Sequence, residues 1–148
     1  MEQYKVIQVK DLQQLELSYL LSESREEGFR FLDRLVDDFQ QGTNTFNGTG
    51  EALFAVVSSE SVVLAIGGVN IDPYLDDPLI GRVRRFYVYS KYRRSGLGKL
   101  LLDRIKTHAN GHFKYLVLNS AQQAEQFYHS CGFIKTEQFT GVTHILNL

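Results

Sequence analysis

Several residue types and patterns are scarce in this chain, and each scarcity excludes a class of protein. The 148 residues include one cysteine, Cys131, only two prolines and no tryptophan. A single cysteine cannot form an internal disulfide, and no Cys/His spacing is typical of zinc, so we expect no metal. No apolar run approaches the roughly 20 residues that span a bilayer, and the first residues lack the order of a signal peptide. We therefore expect a cytoplasmic protein without membrane association.

Net charge is also small, but it is unevenly distributed. The formal charge of −1 gives no basic footprint for nucleic acid, so we expect no nucleic-acid partner. Residues 1–80 hold 14 acidic and 5 basic side chains, whereas residues 81–148 hold 3 and 11. This asymmetry favours separate sites for opposite charges, although two solvated faces give the same counts. With 43% hydrophobic residues and no repeat or linker, residues 1–148 are expected to form a single domain.

Hydrophobic periodicity predicts a mixed α/β fold. Predicted strands cover residues 4–9, 52–58, 61–71, 80–89, 114–118, 134–139 and 142–146, and predicted helices cover 11–21, 25–41, 97–110 and 122–131. In the helix 97–110, Leu97, Leu101, Ile105 and Ala109 share an apolar face with Leu100. The order strand, helix, strand over residues 80–118 requires a parallel strand pair.

The strand at residues 80–89 alternates out of step. Val83 belongs to one parity, whereas Phe86 and Val88 belong to the other. A change of parity within a strand is what one extra, unpaired residue produces. We therefore predict a β-bulge near Arg84 and Arg85.

Residues 92–99, between a strand and a helix, have the composition of a phosphate-binding turn. Backbone N–H groups at a helix N-terminus lack intrahelical partners, and the helix dipole adds positive potential there. Gly96 and Gly98 permit a close approach of the backbone. Between Arg82 and Lys99 there are seven basic residues and no acidic one: Arg82, Arg84, Arg85, Lys91, Arg93, Arg94 and Lys99. The alternative is an ordinary tight turn with solvated arginines.

Two motifs together resemble the GNAT acetyltransferases. The pattern Arg93, any two residues, Gly96, any residue, Gly98 matches the signature loop of that family and follows a strand, as it does there. About thirty residues later, residues 124–133 resemble the second family segment, a helix with Tyr128 followed by Gly-Phe. The turn has neither the spacing of a P-loop nor the third glycine of a dinucleotide fingerprint.

The resemblance implies the fold and the cofactor site. It implies a mixed, mostly antiparallel sheet with helices on both faces, and one parallel strand pair splayed around acetyl-coenzyme A. The residues implied to bind this cofactor are Phe86, Tyr87, Val88, Arg93, Arg94, Ser95, Gly96, Leu97, Gly98, Lys99, Asn119 and Phe127. Many relatives carry an asparagine where this chain has Ala121, so Asn119 or Gln122 is expected to take that place.

The resemblance also implies the catalytic groups. The backbone N–H of Val88 would stabilise the negative charge that develops on the thioester oxygen. Tyr128 would be the general acid that protonates the leaving thiolate. Without the family match, Tyr128 reads as a core aromatic on one stripe with Ala124 and Phe127.

The implied reaction is transfer of an acetyl group to a primary amine by direct attack in a ternary complex. Many relatives have a glutamate base on the strand that matches residues 80–88, and this chain has none. Glu51, Asp72, Asp76 or a water chain are the alternatives. The acidic N-terminal half predicts a cationic small-molecule or protein amine.

Other readings stay open at this point. The missing base leaves a non-catalytic module that binds acyl-CoA as the alternative function. A nucleotide-phosphate enzyme is a third possibility. We expect a monomer or a homodimer, with residues 142–146 as an exposed last strand available for pairing.

Overall fold

The computed structural model describes residues 3–148, and within them seven strands and four α-helices. The strands are β1 (Tyr4–Gln8), β2 (Ala52–Ser58), β3 (Val63–Ile71), β4 (Ile80–Val88), β5 (Tyr115–Leu118), β6 (Ile134–Lys135) and β7 (His144–Asn147). The helices are α1 (Ser18–Glu26), α2 (Phe31–Gln41), α3 (Leu97–Ala109) and α4 (Glu125–Ser130).

All seven strands form one mixed sheet in the order β1-β2-β3-β4-β5-β7-β6. Every neighbouring pair is antiparallel except β4 and β5, which are parallel. Helix α3 connects those two strands, as a parallel pair requires. The mixed α/β fold with one parallel pair predicted from the sequence is confirmed.

The sheet is covered by helices on both faces, and β2 shows why. Its side chains alternate between two hydrophobic clusters, so that Phe54 and Val56 pack with α3 while Leu53 and Ala55 pack with α1 and α2. All four are fully buried. A strand buried on both faces reads as a continuous apolar run, as residues 52–57 do.

The predicted β-bulge lies on β4. In the pairing of β3 with β4, Ile66 lies opposite Tyr87 and Gly68 lies opposite Arg84. Over this interval β4 therefore contains one residue more than β3. Arg85 has φ 60°, a left-handed conformation that accommodates the extra residue. The bulge reverses which face of the sheet the later side chains of β4 point to, which explains why the alternation in the sequence changes parity after Val83.

The parallel pair is short, and the sheet opens beyond it. Strands β4 and β5 pair over three positions, from Ile80 with Tyr115 to Arg82 with Val117. β5 ends at Leu118, whereas β4 continues to Val88. The outer half of β4 therefore has no strand beside it on that edge, and this gap positions the site.

Three of the predicted helices have different bounds, and the third, predicted at 122–131, is a 3₁₀ turn followed by the short α4. Asp11 caps a short 3₁₀ turn, Leu12–Gln14, through a bond to Gln13 N (3.0 Å), and α1 begins only at Ser18. The predicted helix 25–41 is broken, because Gly28 has φ 89° and separates α1 from α2. The apolar stripe continues across this break, which is why periodicity alone joined the two.

Two smaller predictions on packing were wrong. Leu100 is 42% exposed, and Leu102 takes the buried position on α3 with Leu101 and Ile105. The last strand is not an edge strand, because β7 lies between β5 and β6. Only the two-residue β6 forms that edge, so the proposed dimer pairing through residues 142–146 has no free partner surface.

Candidate active site

The N-terminus of α3 presents a row of free backbone N–H groups. Gly96 is the N-cap with φ 88°, and Arg94 has φ 64°. The N–H groups of Arg94, Ser95 and Gly96 have no acceptor within residues 3–148, and those of the first helical turn have none by geometry. Ser95 Oγ turns back to donate to Tyr92 O. This arrangement is a nest for an oxyanion at a helix N-terminus.

A cavity of about 560 Å³ adjoins these amides. Its lining residues are Phe86, Tyr87, Val88, Arg93, Arg94, Gly96, Gly98, Lys99, Gln123, Ala124, Phe127, Tyr128 and Ser130. A Cβ on Gly98 would lie 3.2 Å from the Phe127 ring and 3.5 Å from Val88 Cγ2, so glycine keeps the cleft open. The cavity runs from the α3 amides to the open edge of β4.

The structure brings together most of the residues assigned to the cofactor, but not all through their side chains. Leu97 is 2% exposed and packs in the core, so only its backbone is available. Lys99 Nζ is paired with Asp103 at 2.8 Å. Asn119 lies in a neighbouring cavity, described below.

Arg93 makes its contacts away from the nest. Its guanidinium lies 2.7 and 2.8 Å from the two carboxylate oxygens of Glu27, and its Nε donates to Val88 O at 3.0 Å. It also packs over the Tyr87 ring at 5.2 Å. Arg93 therefore holds the loop against α1, whereas Arg94, with no side-chain partner among the described residues, faces the cavity.

The same contacts extend to a cluster of partly buried and exposed hydrogen bonds that the sequence did not reveal. Tyr87 Oη lies 2.6 Å from a carboxylate oxygen of Glu23 and 2.6 Å from one of Glu27. Glu23 also accepts from Ser90 N and Ser90 Oγ. This Glu23–Glu27–Tyr87–Ser90–Arg93 cluster, called the latch below, ties α1 to the end of β4.

The latch changes the acidity of its members. The Arg93 hydrogen bonds lower the pKa of Glu27. Burial alone would raise the pKa of Glu23, but hydrogen bonds from Ser90 and Tyr87 outweigh it, and the pKa falls below its ordinary value. Burial and the two carboxylates raise the pKa of Tyr87. Both glutamates are therefore anionic and fully engaged at neutral pH.

The backbone N–H of Val88 faces the gap. Tyr89 N donates to Leu64 O at 2.9 Å, and successive N–H groups along a strand point to opposite sides. The N–H of Val88 therefore points away from β3, to the side on which β5 has ended. This is the orientation that the sequence resemblance implies for Val88.

A second cavity, of about 710 Å³, lies on the other side of the gap. Its lining residues are Phe29, Phe31, Arg34, Tyr74, Arg82, Val83, Arg84, Arg85, Phe86, Leu118, Asn119, Ser120, Ala121, Gln123, Ala124, Tyr128, Thr140 and Gly141. It shares Phe86, Gln123, Ala124 and Tyr128 with the first cavity. The two cavities are therefore contiguous, and Tyr128 stands where they meet.

Tyr128 has the properties of a protonated phenol in a half-apolar setting. The side chain is 8% exposed and packs against Phe86, Phe127 and Phe133. Its hydroxyl has no hydrogen-bond partner within residues 3–148. Burial raises the pKa of Tyr128 above its ordinary value, so the phenol keeps its proton at neutral pH.

None of the three candidate bases lines the second cavity. Asp72 is buried and paired with Arg82 (3.1 Å), and it accepts from Tyr74 N at 2.7 Å. Glu51 accepts from Gly48 N, Asn70 Nδ2 and Ile71 N at 2.9 to 3.0 Å. Asp76 is exposed in a loop outside both cavities.

The acidic surface expected for the acceptor is absent from this cavity. Glu23 and Glu27 belong to the latch, Asp33 is paired with Arg25 at 2.5 Å, and Asp38 is paired with Arg85 at 3.4 Å. Sequence halves are not spatial halves, and these acids neutralise arginines, so they do not give this cavity the acidic lining that was expected for the acceptor. Among residues 3–148 the cavity is lined by four arginines and by no acidic residue, as the run of basic residues on β4 suggests.

Three features therefore define an enzyme site for two ligands: an oxyanion nest, an open strand edge and a phenol between two cavities. Such a site suits a group-transfer enzyme with a long anionic cofactor and a separate acceptor. Residues 20–147 match the family model of the acetyltransferase (GNAT) domain, which spans most of the chain. The chain belongs to the GNAT acetyltransferase family.

Solved structures agree with this assignment. The chain is 30% identical to a proposed acetyltransferase from Exiguobacterium sp. 255-15, with a TM-score of 0.88, over 98% of this chain and 93% of that one. It is 16% identical to a GNAT-family acetyltransferase from Staphylococcus aureus Mu50, with a TM-score of 0.76 and 99% of each chain covered. A search of curated proteins returned no match.

A third structural neighbour has a named substrate. It is glucosamine-6-phosphate N-acetyltransferase from Arabidopsis thaliana, at 18% identity and a TM-score of 0.59, with 94% of this chain and 99% of that one covered. At this identity the similarity concerns the fold alone. Among residues 3–148 no helix is long and apolar enough to cross a bilayer, and no three His, Cys, Asp or Glu side chains cluster as metal ligands.

Proposed function

We propose that this protein transfers the acetyl group of acetyl-coenzyme A to a primary amine by direct attack in a ternary complex. The observation that carries the proposal is the meeting of two cavities at Tyr128. One cavity has the anion nest, and the other is open for an acceptor. Two ligands can then lie end to end, with their reacting groups beside the phenol.

The first cavity fits coenzyme A on the evidence of its own residues. The free amides at Arg94, Ser95 and Gly96 suit a diphosphate, and the exposed edge of β4 from Arg84 to Val88 suits the amide groups of an extended chain. Gly98 and Phe127 form the walls of the cleft between them. When bound, the cofactor supplies the acetyl group as a thioester.

Two groups of this chain serve the transfer. The N–H of Val88 stabilises negative charge on the carbonyl oxygen as the amine attacks. Tyr128 retains its proton at neutral pH and donates it to the departing sulfur. Arg93 contributes indirectly, because its bond to Val88 O fixes the carbonyl of the same residue.

The remaining assignments follow from the same features. One continuous sheet supports residues 1–148 as a single domain, as a monomer or homodimer. A lone buried cysteine needs no oxidising compartment, which supports a cytoplasmic location. The alternative, an acyl-CoA-binding module without turnover, is favoured by one observation: no carboxylate base lines the acceptor cavity.

The test is an acetylation assay over a panel of amines, with free thiol as the readout, for the wild type and Tyr128→Phe. Because the phenyl ring keeps the packing but not the proton, we expect kcat to fall about 100-fold with little change in affinity for acetyl-coenzyme A. Tyr115→Phe on β5 is the matched control, since Tyr115 lies outside both cavities.

Two results would contradict the proposal in different ways. Binding of acetyl-coenzyme A without thiol release for any amine favours the binding module. Equal turnover in Tyr128→Phe and the wild type removes the acid role of Tyr128 but leaves the transfer itself.

A further inference from the structure

The acceptor cavity has an excess of positive charge that the fold does not neutralise. Arg82 and Arg85 are paired with Asp72 and Asp38. Arg34 and Arg84 have no carboxylate partner within residues 3–148, and Arg84 has only the amide oxygen of Asn70, at 3.3 Å. Neither guanidinium therefore has an ion-pair partner among these residues, although Arg84 also lines a smaller cavity with Glu51, which accepts from the amide of the same Asn70.

The other two arginines of the cavity carry hydrogen-bond donors that have no acceptor in the described part of the chain. Arg82 Nη2 and Arg85 Nε are buried without a hydrogen-bond partner among the described residues. The side chain of Arg82 is 6% exposed, and that of Arg85 is 10% exposed. Burial, followed by the charge of Arg84, lowers the pKa of Arg85, which reflects the crowding of like charges. Buried donors without partners are uncommon in proteins, and each calls for an explanation such as a water, an ion or a ligand at the site.

The β4 bulge is what concentrates these arginines. In a regular strand, neighbouring side chains point to opposite faces, so Arg84 and Arg85 would separate. With Arg85 at φ 60°, both line the same cavity. A left-handed arginine is a strained conformation, and such strain is typical of functional sites.

Aromatic rings form the wall opposite the arginines. Phe29 and Phe31, with ring centroids 5.4 Å apart, are half-buried at the start of α2. Tyr74 covers Arg82 at 4.9 Å. The cavity therefore offers an aromatic surface beside a cationic one, and the cationic surface repels a polycation.

From these observations we infer that the acceptor is an amine that also carries an oxyanion, a carboxylate or a phosphate, which Arg34 and Arg84 bind. The inference rests on the proposed acetyl transfer and names its acceptor class. Guanidinium groups bind both kinds of oxyanion through paired N–H donors. The same positive field lowers the pKa of a nearby ammonium, so the acceptor amine loses its proton more readily where no carboxylate base is present.

The test compares amines that carry an oxyanion with partners that lack it. L-phenylalanine is paired with L-phenylalaninamide, phosphoethanolamine with ethanolamine, and spermidine represents polycations. We expect kcat/KM to favour the amine with the oxyanion over its partner without one by at least about tenfold. The two pairs distinguish carboxylate from phosphate.

Variants locate the effect. Arg84→Gln and Arg34→Gln are each expected to reduce the preference for the oxyanion several-fold. The preference is measured as the ratio of kcat/KM for the two members of a pair in the same variant, so a general loss of activity cancels. Arg30→Gln is the control, because Arg30 is one helical turn from Arg34, has a side chain that is 72% exposed and does not line the cavity. A preference for spermidine, or for the amines without an oxyanion, in the wild type would overturn the inference.

Direct binding separates this inference from the proposed function. The same five compounds are titrated into the protein with saturating coenzyme A, and binding is followed by calorimetry. If no amine is turned over but the anionic compounds bind selectively and Arg84→Gln abolishes this, the oxyanion site stands and the transferase proposal fails. If amines are turned over but neither assay shows selectivity for the oxyanion, the transferase proposal stands and the oxyanion site is refuted.

Discussion

At the residue scale, the two glycines of the loop between β4 and α3 are required for different physical reasons. Gly96 is required by its backbone, since φ 88° is costly for any side chain, while space is open around it. Gly98 is required for the opposite reason: its backbone is helical, but Phe127 and Val88 approach it closely. The two glycines of the motif are therefore conformational and steric requirements, respectively.

This difference predicts the behaviour of Gly98→Ala. Alanine suits a helix better than glycine, so we expect the free energy of unfolding to stay within about 1 kcal/mol of the wild type. The added methyl group enters the cleft 3.2 Å from the Phe127 ring, so KM for acetyl-coenzyme A should rise several-fold. Urea unfolding and steady-state kinetics measure the two effects.

Leu100→Ala is the control for that substitution, because Leu100 lies two residues further along α3 and is 42% exposed. It should leave KM unchanged. An unchanged KM in Gly98→Ala as well would mean that the cleft beside Phe127 does not hold the cofactor.

At the element scale, the loop between β4 and α3 depends on two neighbouring arginines with different partners. Both line the cavity, but Arg93 is bound to Glu27 and to Val88 O, whereas Arg94 has no side-chain partner in the described part of the chain. Arg93 belongs to the signature pattern and Arg94 lies next to it, so the sequence alone does not show which of the two has a structural partner. Their contacts predict opposite phenotypes.

Arg93→Gln should lower the free energy of unfolding by about 1 kcal/mol, since a partly exposed ion pair contributes modestly. Arg94→Gln should leave stability unchanged and weaken binding of coenzyme A, with a smaller dependence of affinity on salt. Thermal unfolding and calorimetric titration at two salt concentrations check both. Loss of affinity without loss of stability in Arg93→Gln would contradict the latch as described.

Elements were predictable from sequence where a pattern was local. The helix at 97–109 has a clear apolar stripe and ends before Gly111, and its predicted bounds hold within one residue. The bulge was predictable because a parity change leaves a trace in the residue order. The break at Gly28 was not, because the glycine interrupts the backbone without interrupting the stripe, and only tertiary packing separates α1 from α2.

The candidate site was predictable only in its backbone part. Glycines and the helix start mark the nest, whereas the latch joins Glu23 and Glu27 to residues 60 or more positions away. The second cavity likewise combines α2 with β4 and the loop at Gly141. Long-range pairing of charges has no signature in a single sequence, which is why the acids of the N-terminal half could not be matched to their arginines beforehand.

At the scale of the whole molecule, partly or fully buried tyrosine phenols are expected to make the protein less stable at high pH. Burial raises the pKa of Tyr19 to about 12, and burial also raises the pKa of Tyr87 and of Tyr128. Tyrosine in an unfolded chain titrates near 10. Between these values the unfolded chain has lost protons that the folded chain retains, so the contribution of these groups is complete below about pH 10 and declines as pH rises toward 12.

Urea unfolding from pH 8 to pH 12 should therefore show a midpoint that falls above about pH 10. Tyr19→Phe should reduce the fall, although it also removes the hydrogen bond to Val63 O. Tyr74→Phe is the control, since Tyr74 is 69% exposed. A midpoint that does not change over this interval would refute the assignment of these phenols as buried neutral groups.

The open edge of β4 has a consequence for association between chains. An unpaired strand edge is a template for aggregation, and here it lies in the middle of a sheet. Arg93 Nε donates a hydrogen bond to the carbonyl of Val88, and the strands β5, β7 and β6 lie beside the gap. A strand from another copy therefore finds the Val88 carbonyl already hydrogen-bonded, so the edge can stay exposed to a ligand while pairing with a second copy is disfavoured.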